Sequence, residues 1–121
     1  MKPPSYSLTH LRDNLRSFAA ERDWEQFHTP KNLAAALIVE AAELLEHFQW
    51  LTPQQSTQLD SASKHKVAQE IADVLIYLTR LVDVLGVDPL QAAQQKLVLN
   101  AAKYPVADSK GNSTKYSDLP K

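Results

Sequence analysis

The sequence predicts a small all-α protein, with an antiparallel four-helix-bundle-type core and a polar C-terminal tail. Only two glycines occur in 121 residues, whereas alanine and leucine are abundant, a composition that favours helix. Apolar residues recur at helical spacing in four separate segments. Two of these segments begin with a capping residue followed by proline, Thr29–Pro30 and Asp88–Pro89, which is a typical helix start.

Two helices are expected in the first half of the chain. The first begins at a cap on Ser7 or Thr9 and continues to about Asp23. An aromatic-rich segment without a clear period follows it, and we expect a loop there. The second helix runs from Pro30 to about Gln49.

Two longer elements are expected in the second half. Thr52–Pro53 can open a short helical turn, and the polar segment 54–63 is predicted to be a mobile connection. The strongest apolar periodicity in the chain predicts a helix over 64–85, which Gly86 ends. A last helix is predicted to run to about Ala102.

These elements predict three parts of the chain. Residues 1–7 form a flexible N-terminus, residues 8–105 form one helical domain, and residues 106–121 form an irregular tail rich in serine, lysine, glycine and asparagine.

Charge and cysteine content exclude several classes of protein. With 13 basic and 14 acidic residues, the net charge of -1 does not favour a nucleic-acid polymer or an anionic membrane as partner. The chain has no cysteine, which excludes disulfides and thiolate metal sites. No segment approaches the roughly 18 uncharged apolar residues of a membrane span. We therefore expect a soluble, cytoplasmic protein.

Two acidic pairs with the same i, i+3 spacing lie inside apolar helical segments. Glu40 and Glu43 lie on the second predicted helix, and Glu70 and Asp73 lie on the next long one. At about 100° per residue, Glu40 and Glu70 fall within the apolar stripes of their helices, and their partners lie about 60° away. Antiparallel packing of the two helices would bring all four carboxylates to one cleft.

Clustered carboxylates in an apolar setting favour a divalent-metal site, because an unpaired buried charge is costly. Oxygen-only ligands select hard cations, Mg²⁺ first and Mn²⁺ as the alternative, and substrate phosphates commonly complete the coordination of Mg²⁺. A di-iron bundle requires a Glu-x-x-His motif on two helices, and neither acidic motif supplies that histidine.

Two alternatives remain open from the residues alone. An i, i+3 acid pair on one helix is usually a solvated face. Glu46 is a separate case: it projects about 120° from Glu40 toward the polar side of the helix, which favours a solvated position or one behind the metal ligands over direct ligation. An acid cluster also suits a non-catalytic helical module that binds a metal or a basic partner.

The acids resemble the Glu-x-x-Glu, spacer, Glu-x-x-Asp signature of the all-α nucleotide pyrophosphohydrolases of the MazG type, with 26 residues between Glu43 and Glu70. Residues 22–28, 48–50 and 100–105 are similar to the dCTP pyrophosphatase branch of that family. The resemblance implies Mg²⁺-dependent cleavage of dCTP or a 5-substituted dCTP to the monophosphate and pyrophosphate, in a homotetramer built as a dimer of dimers. A pyrophosphohydrolase for another nucleotide is the nearest alternative.

The resemblance also implies roles for individual residues. The metal would be bound by Glu40, Glu43, Glu70 and Asp73. The substrate would be bound by Trp24, His28, Lys31, Asn32, Trp50, Tyr77, Lys96, Asn100 and Lys103. Among these, the aromatic residues and His28 suit a base, and Lys96, Asn100 and Lys103 share one helix face that suits phosphates. Structural alternatives are a core position for Tyr77 and solvated positions for the lysines.

Overall fold

The structure is a computed structural model that describes residues 6–120, and the expected flexibility of residues 1–5 lies outside the described residues. Over the described range the chain forms α-helices and 3₁₀ turns without a β-strand, which confirms the all-α prediction. The helices are α1 (Leu8–Glu21), α2 (Pro30–Glu46), α3 (Pro53–Ser56), α4 (Ser61–Leu85), α5 (Pro89–Lys103) and α6 (Val106–Ser109). The chain divides into two compact units, the first ending at Val87 and the second beginning at Asp88.

Helix α1 is closed at both ends by specific hydrogen bonds. The Ser7 hydroxyl accepts from the His10 backbone N–H at 3.0 Å, so Ser7 is the N-cap. At the other end Asp23 adopts a left-handed conformation (φ 54°), and the Trp24 N–H donates to the Ala19 carbonyl at 2.9 Å. This reversal ends the helix two residues before the predicted Asp23 and leads into a 3₁₀ turn over Glu25–Phe27.

Helix α2 begins where the sequence predicts. The Thr29 hydroxyl accepts from the Asn32 N–H at 3.2 Å, and Pro30 occupies the first turn. The helix ends at Glu46 instead of Gln49, because residues 47–50 form turns. Their backbone bonds include one from His47 N–H to the Leu44 carbonyl, which closes a tighter turn than an α-helix.

The predicted mobile connection 54–63 is largely helical, which corrects that prediction. Thr52 and Gln55 form a reciprocal capping box that stabilises α3. Asp60 then accepts from the Ser63 N–H at 2.7 Å, and this cap starts α4 at Ser61, three residues before the predicted start at residue 64.

Helix α4 is the central element of the first unit, because both α1 and α2 pack against it. His28, just before α2, contacts Arg80 near the end of α4, whereas His47, just after α2, lies beside Glu70 in its middle. Helices α2 and α4 are therefore antiparallel, as expected.

The core of this unit is small. Its buried apolar side chains are Ala19, Leu33 and Val67. In contrast, an i, i+4, i+7 stripe on α4 is exposed: Ile71, Leu75 and Leu78 are 52%, 40% and 40% accessible. Among the described helices, none combines the length and hydropathy that crossing a membrane requires.

The second unit contains α5, α6 and the C-terminal residues. The Asp88 carboxylate caps α5 by accepting from the N–H groups of Leu90 and Gln91, both at 3.0 Å. The segment predicted to be irregular contains α6 and a 3₁₀ turn over Tyr116–Asp118. The rings of Tyr104 and Tyr116 meet edge to face at 6.4 Å, so part of the tail has defined local packing. The domain limit at residue 105 remains a prediction.

Candidate active site

The antiparallel packing of α2 and α4 brings three of the predicted acids together. One carboxylate oxygen from each of Glu40, Glu43 and Glu70 lies within 4.8 Å of the others, and all three side chains are half-buried. Their positions follow from the two i, i+3 motifs, each of which directs its acids toward the facing helix. Asp73 is also half-buried on α4, and its charge acts on Glu40, although it is not among the three oxygens that meet.

Two of these acids have oxygen atoms without a hydrogen-bond partner. Oε2 of Glu40 and Oε2 of Glu70 are buried and accept no hydrogen bond from the described residues. Buried polar atoms are normally paired, so these two oxygens mark a place for a ligand. A set of carboxylate oxygens on two rigid helices fits a hard divalent cation. The acidic group therefore suits a divalent-metal site.

The pKa of Glu40 also reflects the crowding of carboxylates in this group. Burial, followed by the hydrogen bond and charge of Glu43 and the charges of Asp73 and Glu70, raises the pKa of Glu40 to about 7. In the absence of a cation, the cluster therefore holds a proton on this carboxyl at neutral pH more readily than an ordinary glutamate.

His47 is a neighbour of the acids that sequence analysis did not assign to the site. Its Nε2 lies 3.8 Å from Oε1 of Glu70, and both side chains are less than one third exposed. The two residues come together because α2 ends beside the middle of α4. His47 follows Glu43 by four residues, whereas a Glu-x-x-His metal motif requires three, so its spacing offered no reason to assign it to the site. Only the packing of the two helices reveals its contact with Glu70.

The aromatic segment after α1 forms a small cluster at the other end of α2. The Trp24 ring lies 5.7 Å from Phe18 and 6.5 Å from the His28 ring, edge to face in both cases. Trp24 is 44% exposed and His28 is half-buried, so both keep accessible surface. Phe27, in the 3₁₀ turn that follows Trp24, is exposed.

The other predicted substrate-binding residues of the first unit differ in exposure and in their contacts. Asn32 has a structural contact, since its amide donates to the Phe27 carbonyl at 3.0 Å and fixes the loop against the start of α2. Lys31 is exposed, and Trp50 is 87% exposed beyond the end of α2. Tyr77 is half-buried on α4, one turn after Asp73.

Three predicted phosphate-binding residues, Lys96, Asn100 and Lys103, lie on α5 in the second unit. Lys96 is exposed and Asn100 is half-buried. The Lys103 ammonium lies 5.8 Å from the centre of the Tyr116 ring, a cation–π contact within that unit. The phosphate-binding role of this helix face remains a prediction.

A polar cluster next to the aromatic segment was missed by sequence analysis. Arg80 is only 9% exposed, and its Nε–H donates to Nδ1 of His28 at 3.0 Å. Asp83 lies 3.4 Å from Arg80 and accepts two hydrogen bonds from Arg16, at 2.6 and 2.8 Å. Arg80 follows Asp73 by seven residues and therefore lies on the same face of α4. This spacing is the sequence feature that could have identified Arg80 as a neighbour of the site.

The surroundings of this cluster lower the pKa values of both Asp83 and His28, for different reasons. Hydrogen bonds from Arg16, opposed by burial, hold the pKa of Asp83 below its ordinary value. Burial and then the charge of Arg80 lower the pKa of His28, and Glu25 acts weakly in the other direction. His28 is consequently a neutral imidazole at physiological pH.

Comparison with known proteins connects these features to one family. The family model described as MazG-like matches residues 35–119, which include all four acids. The chain is 43% identical over 120 residues to dCTP pyrophosphatase 1 of Mus musculus, covering 98% of this chain and 71% of the relative. For dCTP pyrophosphatase 1 of Homo sapiens the identity is 40% over 119 residues, with 97% and 70% covered.

A solved structure agrees with these relatives. A pyrophosphatase from Archaeoglobus fulgidus superposes with a TM-score of 0.78 and is 42% identical, covering 87% of this chain and 98% of that one. Three features agree on the same family: the spacing of the four acids, the all-helical architecture and the sequence match over most of the chain. The chain belongs to the MazG-like family.

Proposed function

We propose that the protein is a nucleoside triphosphate pyrophosphohydrolase that cleaves dCTP or a 5-modified dCTP to the monophosphate and pyrophosphate, in the sanitation of the nucleotide pool. One observation carries the proposal: two buried carboxylate oxygens without partners, on facing helices, in a chain over 40% identical to a dCTP pyrophosphatase. A simple partner-binding surface would not require buried acids of this kind.

Magnesium is the cation that we assign to the acidic group, with Mn²⁺ as the alternative. Glu40, Glu43, Glu70 and Asp73 would hold it, since an oxygen-only set suits small hard cations. When bound, the ion supplies positive charge to phosphate oxygens and lowers the pKa of water. The half-burial of the acids supports this assignment, because limited water around them strengthens their attraction for a cation.

The proposed reaction is hydrolysis of the phosphoanhydride bond between the α- and β-phosphates. A water oxygen forms a bond to the α-phosphorus and loses a proton to solvent, the bond from that phosphorus to the bridging oxygen breaks, and pyrophosphate leaves with the bonding electrons. The acids of α2 and α4 would hold the cation that offsets the charge of the phosphate chain. On α5, the role that we propose for Lys96, Asn100 and Lys103 is to bind phosphate, the two lysines through their charge and the asparagine through its amide N–H group. Positioning and charge stabilisation are the main contributions that protein groups make to such a transfer.

The nucleoside would lie toward the aromatic segment. Trp24 keeps exposed ring surface on which a flat pyrimidine can stack, a contact of about 1 to 3 kcal/mol per base in single-strand binders. Trp50 is exposed beyond the opposite end of α2, and its contact with substrate is a separate part of the proposal. His28, Lys31 and Asn32 follow Trp24 along the chain and lead into α2. Tyr77 lies between the acids and Arg80 along α4, where its hydroxyl would meet the sugar or a phosphate.

We further infer a homotetramer, built as a dimer of dimers, that acts in the cytoplasm. The exposed stripe Ile71, Leu75 and Leu78 supports association, since monomers rarely leave contiguous apolar surface open. The absence of cysteine agrees with a reducing compartment. Light scattering after gel filtration measures the assembly, and a monomer at micromolar concentration would contradict it.

One assay tests the activity. The purified protein is incubated with Mg²⁺ and each of a panel of nucleoside triphosphates, and both monophosphate and pyrophosphate are measured. We expect release from dCTP and 5-methyl-dCTP in preference to the others. No release from any triphosphate would contradict the enzyme and favour a binding module, and preference for dUTP or GTP would contradict the cytosine assignment.

A further inference from the structure

Arg80 is the charged side chain of the first unit whose burial the metal site does not explain. It is 9% exposed on α4, seven residues after Asp73 and therefore about 10 Å along the helix on the same face. A buried guanidinium is retained only where its donors are paired. Arg80 donates to His28 and to Asp83, and these two contacts indicate its role.

The bond to His28 determines which ring nitrogen carries the proton. The guanidinium has donors and no acceptor, so Nδ1 of His28 must accept with its lone pair at 3.0 Å. The neutral ring then carries its hydrogen on Nε2, on the opposite side of the imidazole from Arg80. Within the described residues, no hydrogen bond of this Nε2 is recorded, so the donor is available to a ligand.

Asp83 holds Arg80 in place for this contact. Its carboxylate lies 3.4 Å from Arg80 and is itself held by a bidentate pair with Arg16 from α1. The side chains of Arg80 and Asp83 are each only 10% exposed, whereas that of Arg16 is 53% exposed. The inner part of this cluster is buried and contacts His28, and its outer part faces solvent.

We propose that Arg80 is a positioning residue for nucleotide binding, which holds His28 as an Nε2–H donor toward an acceptor atom of the pyrimidine. This inference rests on the proposed function, because it takes the segment from Trp24 to His28 as the base site. Cytosine has two acceptors, O2 and N3, on its pairing edge, so a neutral donor from His28 complements it. The 6.5 Å separation of the Trp24 and His28 rings lets one residue stack on the base while the other reads its edge.

A double-mutant cycle tests whether Arg80 acts through His28. Arg80→Met removes the donor and leaves Asp83 paired with Arg16, so no buried charge is stranded. We expect the KM for dCTP to rise about 3- to 10-fold, the effect of one hydrogen bond, with kcat within about 2-fold. In a His28→Ala background the same substitution should change KM by less than about 2-fold, since its target is gone.

The matched control is Lys66→Met, which removes an exposed cation from the same helix. It should change the KM for dCTP by less than about 2-fold, because no hydrogen bond joins Lys66 to His28, Arg80 or Asp83 among the described residues. Circular dichroism and thermal unfolding establish that each variant is folded. If Arg80→Met does not fold, Arg80→Leu replaces it in the cycle, because leucine also has no donor for His28.

A direct readout is the tautomer of His28, measured by ¹⁵N correlation of the ring nitrogens, with His28→Ala identifying its signals among the four histidines. The wild type should show a bare Nδ1 and a protonated Nε2, and Arg80→Met should mix the tautomers. An unchanged tautomer in Arg80→Met, or equal effects of Arg80→Met in both backgrounds of an active enzyme, would overturn the inference. A wild type without dCTP hydrolysis would instead refute the proposed function and leave the tautomer measurement valid.

Discussion

Two glutamates in the acidic group combine burial with an unmet hydrogen-bonding requirement. Oε2 of Glu40 and Oε2 of Glu70 are buried without a partner, and a third acid, Glu43, lies within reach of both. At the scale of single residues, such an arrangement is unfavourable unless a cation or a proton compensates it. This arrangement leads to two kinds of prediction, one for the rate of dCTP hydrolysis and one for the free energy of unfolding.

Glu43→Gln should reduce dCTP hydrolysis by at least about 100-fold, because an amide is a weaker ligand for a hard cation than a carboxylate. Asp73→Asn should do the same if Asp73 completes the site. The measurement is kcat/KM with saturating Mg²⁺, and both variants should unfold at temperatures close to that of the wild type. Glu46→Gln is the matched control, since Glu46 is exposed on the same helix and should keep full activity.

The raised pKa of Glu40 predicts how the stability of the metal-free protein depends on pH. The folded protein binds this proton more tightly than the unfolded chain, so the contribution is complete below the ordinary value of 4.5. It is lost as the pH rises through about 7, and the free energy of unfolding should fall over that interval. Urea unfolding in EDTA at several pH values measures it.

Two comparisons make this pH prediction specific. Glu40→Gln should flatten the fall between pH 4.5 and about 7, because the variant has no proton to lose there. Saturating Mg²⁺ should raise the stability of the wild type most at the upper end of the range, since protons and metal compete for the same oxygens. Equal slopes for wild type and Glu40→Gln would show that another group is responsible.

At the scale of elements, the ends of the helices determine where the site residues lie. Asp23 ends α1 in a left-handed conformation, and this reversal places Trp24 against Phe18. Gly86 ends α4 in the same way, with φ 70° and a bond of 2.8 Å from the Val87 N–H to the Val82 carbonyl. These terminations are local, so the sequence predicts them to within a few residues.

Gly86→Ala should therefore destabilise the protein by about 1 to 2 kcal/mol, because an L-residue in the left-handed region is strained. An added Cβ would meet no atom within 4 Å, so the backbone conformation alone is responsible. Chemical denaturation measures the loss. Gly86→Asn is the control, since asparagine tolerates this conformation, and it should lose clearly less stability than the alanine variant.

At the scale of the whole molecule, the exposed stripe on α4 is an apolar surface that the acidic site does not account for. Ile71, Leu75 and Leu78 follow one another at helical spacing on the element that also bears Glu70 and Asp73. Burial of such a stripe between subunits would extend a core that contains few fully buried side chains. Assembly and the acidic site would then depend on the same helix.

Leu78→Lys should lower the mass of the assembly measured by light scattering, because burying an ammonium group against apolar surface is costly. Gln69→Lys introduces the same charge at an exposed polar position of α4 and should leave the mass unchanged. An assembly of unchanged mass in Leu78→Lys would place the interface elsewhere on the protein.

Local sequence patterns predict the helices and the acidic motifs, because periodicity, caps and i, i+3 spacing act within a few residues. Its errors lay in connections, where short caps such as Thr52–Gln55 and Asp60 formed helix in place of the expected mobile segment. Only the three-dimensional structure shows the pairing of Arg80 with His28, 52 residues apart, and the lack of a hydrogen-bond partner at one oxygen each of Glu40 and Glu70. Such contacts depend on how helices face one another, which no local pattern specifies.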